Sequence, residues 1–380
     1  MDTLSVPQGN FRLARYPELK NRSLRAWDAA DVYLLRELYD SGPLHPGIEV
    51  LLVNDRFGAL SVALADLRPQ MMSDSFLAHR GTELNLRENH RPADAVRLLT
   101  SLQPPHGPLD LVIIKIPKTL ALLEDQLHRI RPRLTADSRI IGGGMVKGIH
   151  HSTLQLFEQI IGPTETSLAR QKARLIYSRF DPDLAPGASP YPSEYRLENS
   201  GHRLINHANV FSRERLDIGT RLFLERIPAT PDRQRIVDLG CGNGVVGLIA
   251  AERNPAAELI FVDESYMAVA SAETNFRNAF GAARQARFLP TNCLDGIAAG
   301  SVDLVLNNPP FHQQSAVGDH IARAMFRASM KVLKSGGKLL VVGNRHLGYH
   351  FKLKQLFGNC TLVAGNRKFV ILRADKKSSR

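Results

Sequence analysis

Arg235-Ile-Val-Asp-Leu-Gly-Cys-Gly-Asn-Gly-Val-Val-Gly-Leu248 opens with a short apolar strand, Ile236 to Leu239. The strand runs into three glycines at alternate positions, Gly240, Gly242 and Gly244, and a helical pattern continues to Ala251. Glycine lets the backbone turn sharply and approach a ligand closely. The helix start behind it offers unpaired N–H groups and the positive end of a dipole. A nicotinamide-cofactor loop reads G-x-G-x-x-G with an acid about twenty residues further on. Here the order is D-x-G-x-G-x-G, with the acid, Asp238, ahead of the first glycine. A second strand, Leu259 to Val262, ends at Asp263, 25 positions after Asp238 and close to the spacing of one β-α-β unit. The stretch predicts a doubly wound α/β sheet with a ligand at its strand ends.

An acid before alternating glycines is the S-adenosylmethionine pattern. Asp238 is then expected to reach the amino-acid end of the cofactor, through its ammonium or a water, with Gly240, Cys241, Gly242, Asn243 and Gly244 as the cradle. Asp263 is placed to accept both ribose hydroxyls. Asn292, after the segment Ala286 to Pro290, sits where this fold reads the adenine amino group; an ordinary turn asparagine is the competing reading. About seventy residues after the loop, the apolar run Val302 to Leu306 ends in Asn307-Asn308-Pro309-Pro310-Phe311. By itself this reads as a strand closed by a proline turn. Asn-Pro-Pro-aromatic is also the tetrapeptide of enzymes that methylate exocyclic amino or amide nitrogens. Such an amine is a poor nucleophile because its lone pair is delocalised. Acceptance of its N–H bonds by the Asn308 side-chain oxygen and the Pro309 carbonyl localises that lone pair. The two prolines fix φ, and Phe311 offers a face for stacking a base.

Together these motifs resemble the class I methyltransferases that act on N2 of ribosomal RNA guanines. Val210-Phe-Ser-Arg-Glu-Arg-Leu-Asp-Ile-Gly219 resembles the segment ahead of the cofactor loop in the two-domain members, and the similarity runs from Trp27-Asp-Ala-Ala-Asp31 to the C-terminus. The resemblance implies methyl transfer from S-adenosylmethionine to N2 of a guanine in 23S rRNA, in the large-subunit branch of the family. The 16S rRNA guanine-N2 methyltransferase has the same plan and is the nearest alternative. Catalytic roles are implied for Asn308, Pro309, Pro310 and Phe311, with direct in-line transfer to a guanine flipped from its stack. Methyl transfer to an amino group can lose its proton after attack, so His312 is read as a loop residue rather than a base.

Composition is consistent with this reading. The chain has 380 residues, enough for two domains, with 43% hydrophobic and 23% charged residues. No apolar run is long enough for a membrane span, and the N-terminus lacks a signal-peptide layout. The expectation is a cytoplasmic, monomeric protein without a membrane partner. Three scattered cysteines, Cys241, Cys293 and Cys360, suit a reducing compartment and offer no metal-type spacing. His150, His151, His202 and His207 likewise lack carboxylate or cysteine partners at ligand spacing, so no metal is expected. The net charge of +12 is uneven: residues 1–190 hold 23 Lys and Arg against 21 Asp and Glu, and residues 191–380 hold 26 against 16. A polyanionic substrate explains the basic half economically; a solvated surface with the basic tail Lys376-Lys-Ser-Ser-Arg380 is the bland alternative.

The two halves share their punctuation. Ile48-Glu-Val-Leu-Leu-Val-Asn54 precedes a loop with Gly58 alone, and Leu109 to Lys118 sits where Val302 to Pro310 sits later. Ser138 to Met145 matches Lys338 to Asn344, and helical patterns cover Leu120 to Ile130 and Ile321 to Leu333. Gly336-Gly337 reads as a turn before the last of these strands. The prediction is two tandem doubly wound Rossmann-like domains from an internal duplication: a degenerate copy at 1–183, a Pro- and Gly-rich linker at 184–195, and a catalytic copy at 196–380. The first copy has lost two glycines and replaced the amide and aromatic with lysines, which cannot accept an amine's hydrogens. An RNA-binding or supporting role is expected for it. Lys115, Lys118 and Lys147 are candidates for phosphate contacts or for plain solubility, as are Arg213 and Arg215 for RNA contact or surface roles. The competing functions are the same chemistry on DNA adenine or protein glutamine, a small-molecule methyltransferase, and a non-catalytic RNA-binding protein on this scaffold.

Overall fold

The computed structural model describes residues 1–18, 24–45, 47–232, 234–310 and 316–378, of which 316–319 by backbone alone. The chain separates into two compact units, Met1–Tyr191 and Pro192–Arg380. The first begins with a hairpin of β1 (Asp2–Val6) and β2 (Gly9–Leu13), followed by α1 (Ala29–Asp40). Then come β3 (Val50–Val53), α2 (Ala59–Ala63), β4 (Gln70–Ser73), α3 (Phe76–Glu88), β5 (Arg97–Thr100) and β6 (Leu109–Lys115). The unit closes with α4 (Leu120–Ile130), β7 (Leu134–Met145), α5 (His151–Ile160), β8 (Thr164–Thr166) and β9 (Ala173–Arg179).

The second unit repeats this order. A hairpin of β10 (Ser193–Arg196) and β11 (Arg203–Asn206) leads to α6 (Ile218–Leu224), β12 (Arg235–Leu239), α7 (Val245–Arg253), β13 (Glu258–Asp263) and α8 (Tyr266–Phe280). It continues with β14 (Ala286–Pro290), β15 (Val302–Asn307), α9 (Ala316–Val332), β16 (Leu333–Asn344), α10 (Tyr349–Phe357), β17 (Thr361–Gly365) and β18 (Phe369–Asp375).

Each unit holds a seven-stranded sheet, in the orders β5-β4-β3-β6-β7-β9-β8 and β14-β13-β12-β15-β16-β18-β17. The first five strands of each are parallel, and the sixth, β9 or β18, runs antiparallel to both of its neighbours. Strand order reverses between β12 and β15, and a doubly wound sheet opens its ligand crevice at such a switch point. The second sheet is covered on both faces, which is why its central parallel strands read as largely apolar runs. Ile236, Phe261 and Leu304 pack with α7 and α8, while Val237, Ile260 and Val305 pack with Phe326 of α9 and Leu353 of α10. The antiparallel strands and the hairpins add to the expected architecture. β17 is an edge strand whose side chains are mostly exposed, Leu362 and Val363 among them. Gly336-Gly337 also differs from expectation: the pair lies inside β16, in a bulge between the Val302–Leu333 and Leu304–Lys338 pairings.

Pairing register aligns the two copies residue by residue. Val53 pairs with Ile114 as Leu239 pairs with Asn307, so Asn54 occupies the place of Gly240, and Lys115 that of Asn308. Asn85 and Asn275 make the same clamp: each donates to the preceding hairpin segment (Ala14 O, Ile205 O) and to the loop residue Phe57 or Asn243. Gly58 and Gly244 both cap a helix with φ near +80°. A Cβ there would lie 2.7 Å from Thr82 Cα or 2.8 Å from Ala272 Cβ, so this glycine lets two helices pack and is kept in both copies. Gly58→Ala is expected to cost more than about 1 kcal/mol in urea unfolding, while Gly148→Ala, with open space around it, stays within about 0.5 kcal/mol. Equal midpoints for the two variants would contradict the packing role.

Candidate active site

The cofactor-type loop is held from its backbone. Gly240 and Cys241 N–H both donate to Val262 O, at 2.8 and 3.0 Å, and Gly244 N–H donates to Cys241 O at 2.8 Å. The φ angles of Gly240 and Gly242 are +73° and +55°. Nothing lies within 4 Å of where a Gly242 Cβ would stand, so the loop presents bare backbone to open space. Asp263 links the loop to the next strand: Oδ2 accepts from Gly242 N–H and Oδ1 from Ser265 N–H, both at 3.0 Å. The Glu264 N–H is a third backbone donor to this carboxylate, which leaves it acceptor capacity for a ligand hydroxyl. Burial raises the Asp263 carboxyl above the ordinary carboxylate value, with the backbone N–H groups opposing.

Asp238 is buried and accepts from Gly247 N–H at 2.8 Å, bracing the loop against α7. Burial foremost, and secondly the Asp263 charge, push its carboxyl up to about 8. Cys241 is buried too, and burial together with Asp263 and Asp238 lifts its thiol well above the ordinary value, so it is not a thiolate nucleophile. The Asn243 side chain is turned inward. Its Nδ2 donates to Asn206 Oδ1 at 2.9 Å and to Tyr195 Oη at 3.3 Å, while Oδ1 accepts from Val245 N–H. That leaves only its backbone for a ligand. Asn292 is half-buried just past β14, its Nδ2 3.2 Å from Asp295 Oδ2.

Across the switch point, Asn307 is buried and donates from Nδ2 to Leu239 O at 2.8 Å, tying β15 to β12. Asn308 stands beyond it, and its carbonyl would lie 3.9 Å from a Cβ on Gly240. Its side-chain Nδ2 donates to Thr220 Oγ1 at 3.0 Å, while its Oδ1 is buried without a hydrogen-bond partner among the described residues. The amide's orientation has a cause. Asp217 caps α6 by accepting from Thr220 N–H at 3.0 Å, and its Oδ2 is also 3.4 Å from Thr220 Oγ1. The hydroxyl proton turned toward that carboxylate leaves an Oγ1 lone pair for the amide NH2. Pro309 and Pro310 follow; Phe311 and His312 lie outside the described residues.

The structure therefore brings Asp238, Gly240, Gly242, Gly244, Asp263 and Asn308 to one sheet edge. Thr220 and Asp217 were not identified from sequence. The signal was present as an acid three residues before a threonine at a helix start, immediately after the quoted segment Val210 to Gly219. Among the described residues no group of three or more His, Cys, Asp or Glu is placed to hold a metal, and no helix is long and apolar enough to cross a membrane.

The equivalent place in the first unit is filled. Lys115, at the position of Asn308, pairs with Asp28 at 2.8 Å and Asp31 at 2.7 Å, the cap and first-turn residues of α1. Asn54, in place of Gly240, reaches across to Lys115 O at 3.1 Å and exchanges two hydrogen bonds with Gln126, each 2.8 Å. Ser73 stands where the second unit has Asp263. The expectation that Lys115 contacts phosphate is thus corrected: its side chain is 11% exposed and committed to two carboxylates. Lys118 and Lys147 are exposed.

Fold and loop define a Rossmann-like methyltransferase. Residues 201–373 match the methyltransferase small domain family, and residues 1–182 match the RLMG N-terminal domain family. The chain belongs to the ribosomal RNA large subunit methyltransferase G family. It is 53% identical to the protein of that name from Streptomyces griseus over 384 residues, covering 99% of this chain and 100% of the relative. With the Aeromonas salmonicida protein of the same name it shares 49% identity, covering 98% and 99%. Among solved structures it resembles the T. thermophilus 16S rRNA N2 G1207 methyltransferase, in complex with AdoMet and guanosine. That match has a TM-score of 0.75, 20% identity, and coverage of 99% of this chain and 98% of that one; at that identity the likeness speaks for the fold.

A buried acid raised to about 8 has a sign that can be checked. The folded chain holds a proton that the unfolded chain releases near pH 4. Asp238 therefore adds most to stability at low pH, and its contribution declines as pH rises toward about 8. Asp238→Asn, which cannot ionise, is expected to lose less stability than the native protein between pH 5 and pH 8 in denaturant titrations without ligand. Parallel stability curves would contradict the assignment.

Proposed function

We propose that the second unit transfers a methyl group from S-adenosylmethionine to the exocyclic N2 of a guanine in 23S rRNA, acting as a monomer in the cytoplasm. The observation that carries this reading is Asn308 Oδ1, a buried acceptor without a partner among the described residues, at the switch point beside the glycine loop. The full-length relatives named for the large subunit RNA support 23S over 16S, and the guanosine complex of the structural neighbour supports the base.

The residues present fit the cofactor. The bare backbone of Gly240, Cys241, Gly242, Asn243 and Gly244 admits its methionine end beside Asp238. Asp263 keeps acceptor capacity for a ribose hydroxyl, and Asn292 lies past β14 toward the adenine side. S-Adenosylmethionine, when bound, supplies an electrophilic methyl group on a positively charged sulfur. Asn308 Oδ1 and the Pro309 carbonyl accept the two N–H bonds of the guanine amine and hold its lone pair outward. Pro309 and Pro310 keep that carbonyl fixed, and Phe311 is assigned the stacking face. Rate enhancement in this scheme comes chiefly from positioning a neutral nucleophile, with Thr220 and Asp217 setting the Asn308 amide. In the first unit, the exposed Lys118 and Lys147 suit RNA support rather than a second active site.

Labelled methyl transfer to unmodified rRNA transcripts, followed by nucleoside analysis, tests the reading. N2-methylguanosine in 23S RNA is the expected product; label in 16S RNA alone would move the substrate, and label on another atom would overturn the chemistry. Asn308→Ala is expected to lower kcat about a hundredfold or more, and Thr220→Val about tenfold, with cofactor affinity within about twofold of native. Loss of cofactor binding in step with activity would contradict these roles.

A further inference from the structure

Arg345, His346, Arg367 and Lys368 line one shallow groove on the second unit. Strand pairing brings their two segments together: Asn344 pairs with Phe369, and Arg345 N–H donates to Lys368 O at 2.9 Å. The turn carrying Arg367 is built by Asn366, whose Oδ1 accepts from Lys368 N–H at 2.9 Å and Phe369 N–H at 2.8 Å. Arg345 Nη2 donates to Asn366 O at 2.8 Å, so its guanidinium is fixed on that turn. All four side chains are exposed, and among the described residues none is paired with a carboxylate. An organised cationic groove without internal counter-charge suits an external anion.

Its place on the fold indicates which anion. β16 is bonded to β15, with Val341 opposite Asn307. Arg345 follows four residues beyond Val341, a rise of about 13 Å along the strand. On the other side, Phe369 follows Lys368 and packs on α6, where a Cβ on Gly219 would lie 2.8 Å from its ring. The next residue is Thr220, which holds Asn308. Groove and Asn308 thus share one wall of the sheet edge.

The duplicated scaffold supplies an internal control. The equivalent positions in the first unit are Val146, Lys147, Gln171 and Lys172, joined by the same backbone bond, Val146 N–H to Lys172 O at 2.8 Å. The fold therefore closes without an arginine at either site. The arginines occur only in the copy whose site is open. We propose that this groove binds the phosphates of the RNA strand flanking the target nucleotide, holding the backbone while the base sits at Asn308. The proposal rests on the ribosomal RNA reading above.

The test uses the full chain carrying R345A, R367A and K368A together, assayed for methyl transfer and for RNA binding over a range of salt concentrations. The expected result is an RNA KM raised about tenfold or more. The slope of log affinity against log salt should fall by about 2, roughly 0.7 for each lost phosphate contact on a single strand. Turnover at saturating RNA and cofactor affinity should stay within about twofold, and R345K with R367K should restore most of the affinity. R367A with K368A removes side chains that make no hydrogen bond among the described residues, and should show a smaller shift in the same direction. Unchanged KM and salt slope in both variants, with the native chain active on rRNA, overturn the groove alone. A native chain that methylates no RNA overturns the groove and the reading beneath it.

Discussion

The arrangement depends on one contact, the grip of a helix's first turn on the residue at the end of the fourth parallel strand. In the second unit Asp217 caps α6 and orients Thr220, which takes the amide NH2 of Asn308 and leaves its oxygen turned away as a buried acceptor. A buried acceptor without a partner costs about 1–3 kcal/mol. Other buried side-chain atoms share that condition, the adjacent Asn307 Oδ1 among them; Asn308 Oδ1 is set apart by its place beside the glycine loop, where an incoming N–H group would relieve that cost. The same contact fixes where a reacting nitrogen can stand relative to the glycine loop, because Asn308 and Gly240 meet at the strand-order reversal.

The first unit uses identical geometry to the opposite end. There the capping Asp28 and first-turn Asp31 grip Lys115, a donor held by two carboxylates, and Asn54 bridges the gap that Gly240 leaves open. At these positions a ligand-facing group gives way to an internally satisfied one. What remains in common is the structural part: the helix-packing glycine and the asparagine that clamps the leading hairpin. Two copies of one sheet thus separate the residues that build the fold from those that build the site.

Much of this was legible in the sequence, for identifiable reasons. The parallel strands are buried on both faces, so they read as apolar runs, and Asp238, Asp263 and Asn307 mark their ends. The alternating glycines announce the loop because few other residues tolerate its φ angles. Of the antiparallel strands, β17 exposes most of its side chains, whereas β18 carries a buried apolar run, Phe369 to Leu372, that the sequence reading leaves out. The Gly336-Gly337 bulge reads as a turn because local composition cannot distinguish a bulge from a strand boundary. Lys115 looked available because a lysine's partners lie far off in sequence, at Asp28 and Asp31. Thr220 was invisible for the same reason, standing 88 residues from Asn308. Asn243, by contrast, sits in the loop as expected, yet spends its side chain on Asn206 and Tyr195.

One copy of the duplicated scaffold keeps an open glycine loop at its switch point, and the other fills the same place. Calorimetric titration of the full chain with S-adenosylmethionine addresses this directly. The expected result is one site per chain, lost in a folded Asp263→Ala variant and unaffected by Ser73→Ala. Two sites per chain, or binding that survives Asp263→Ala, would contradict the account.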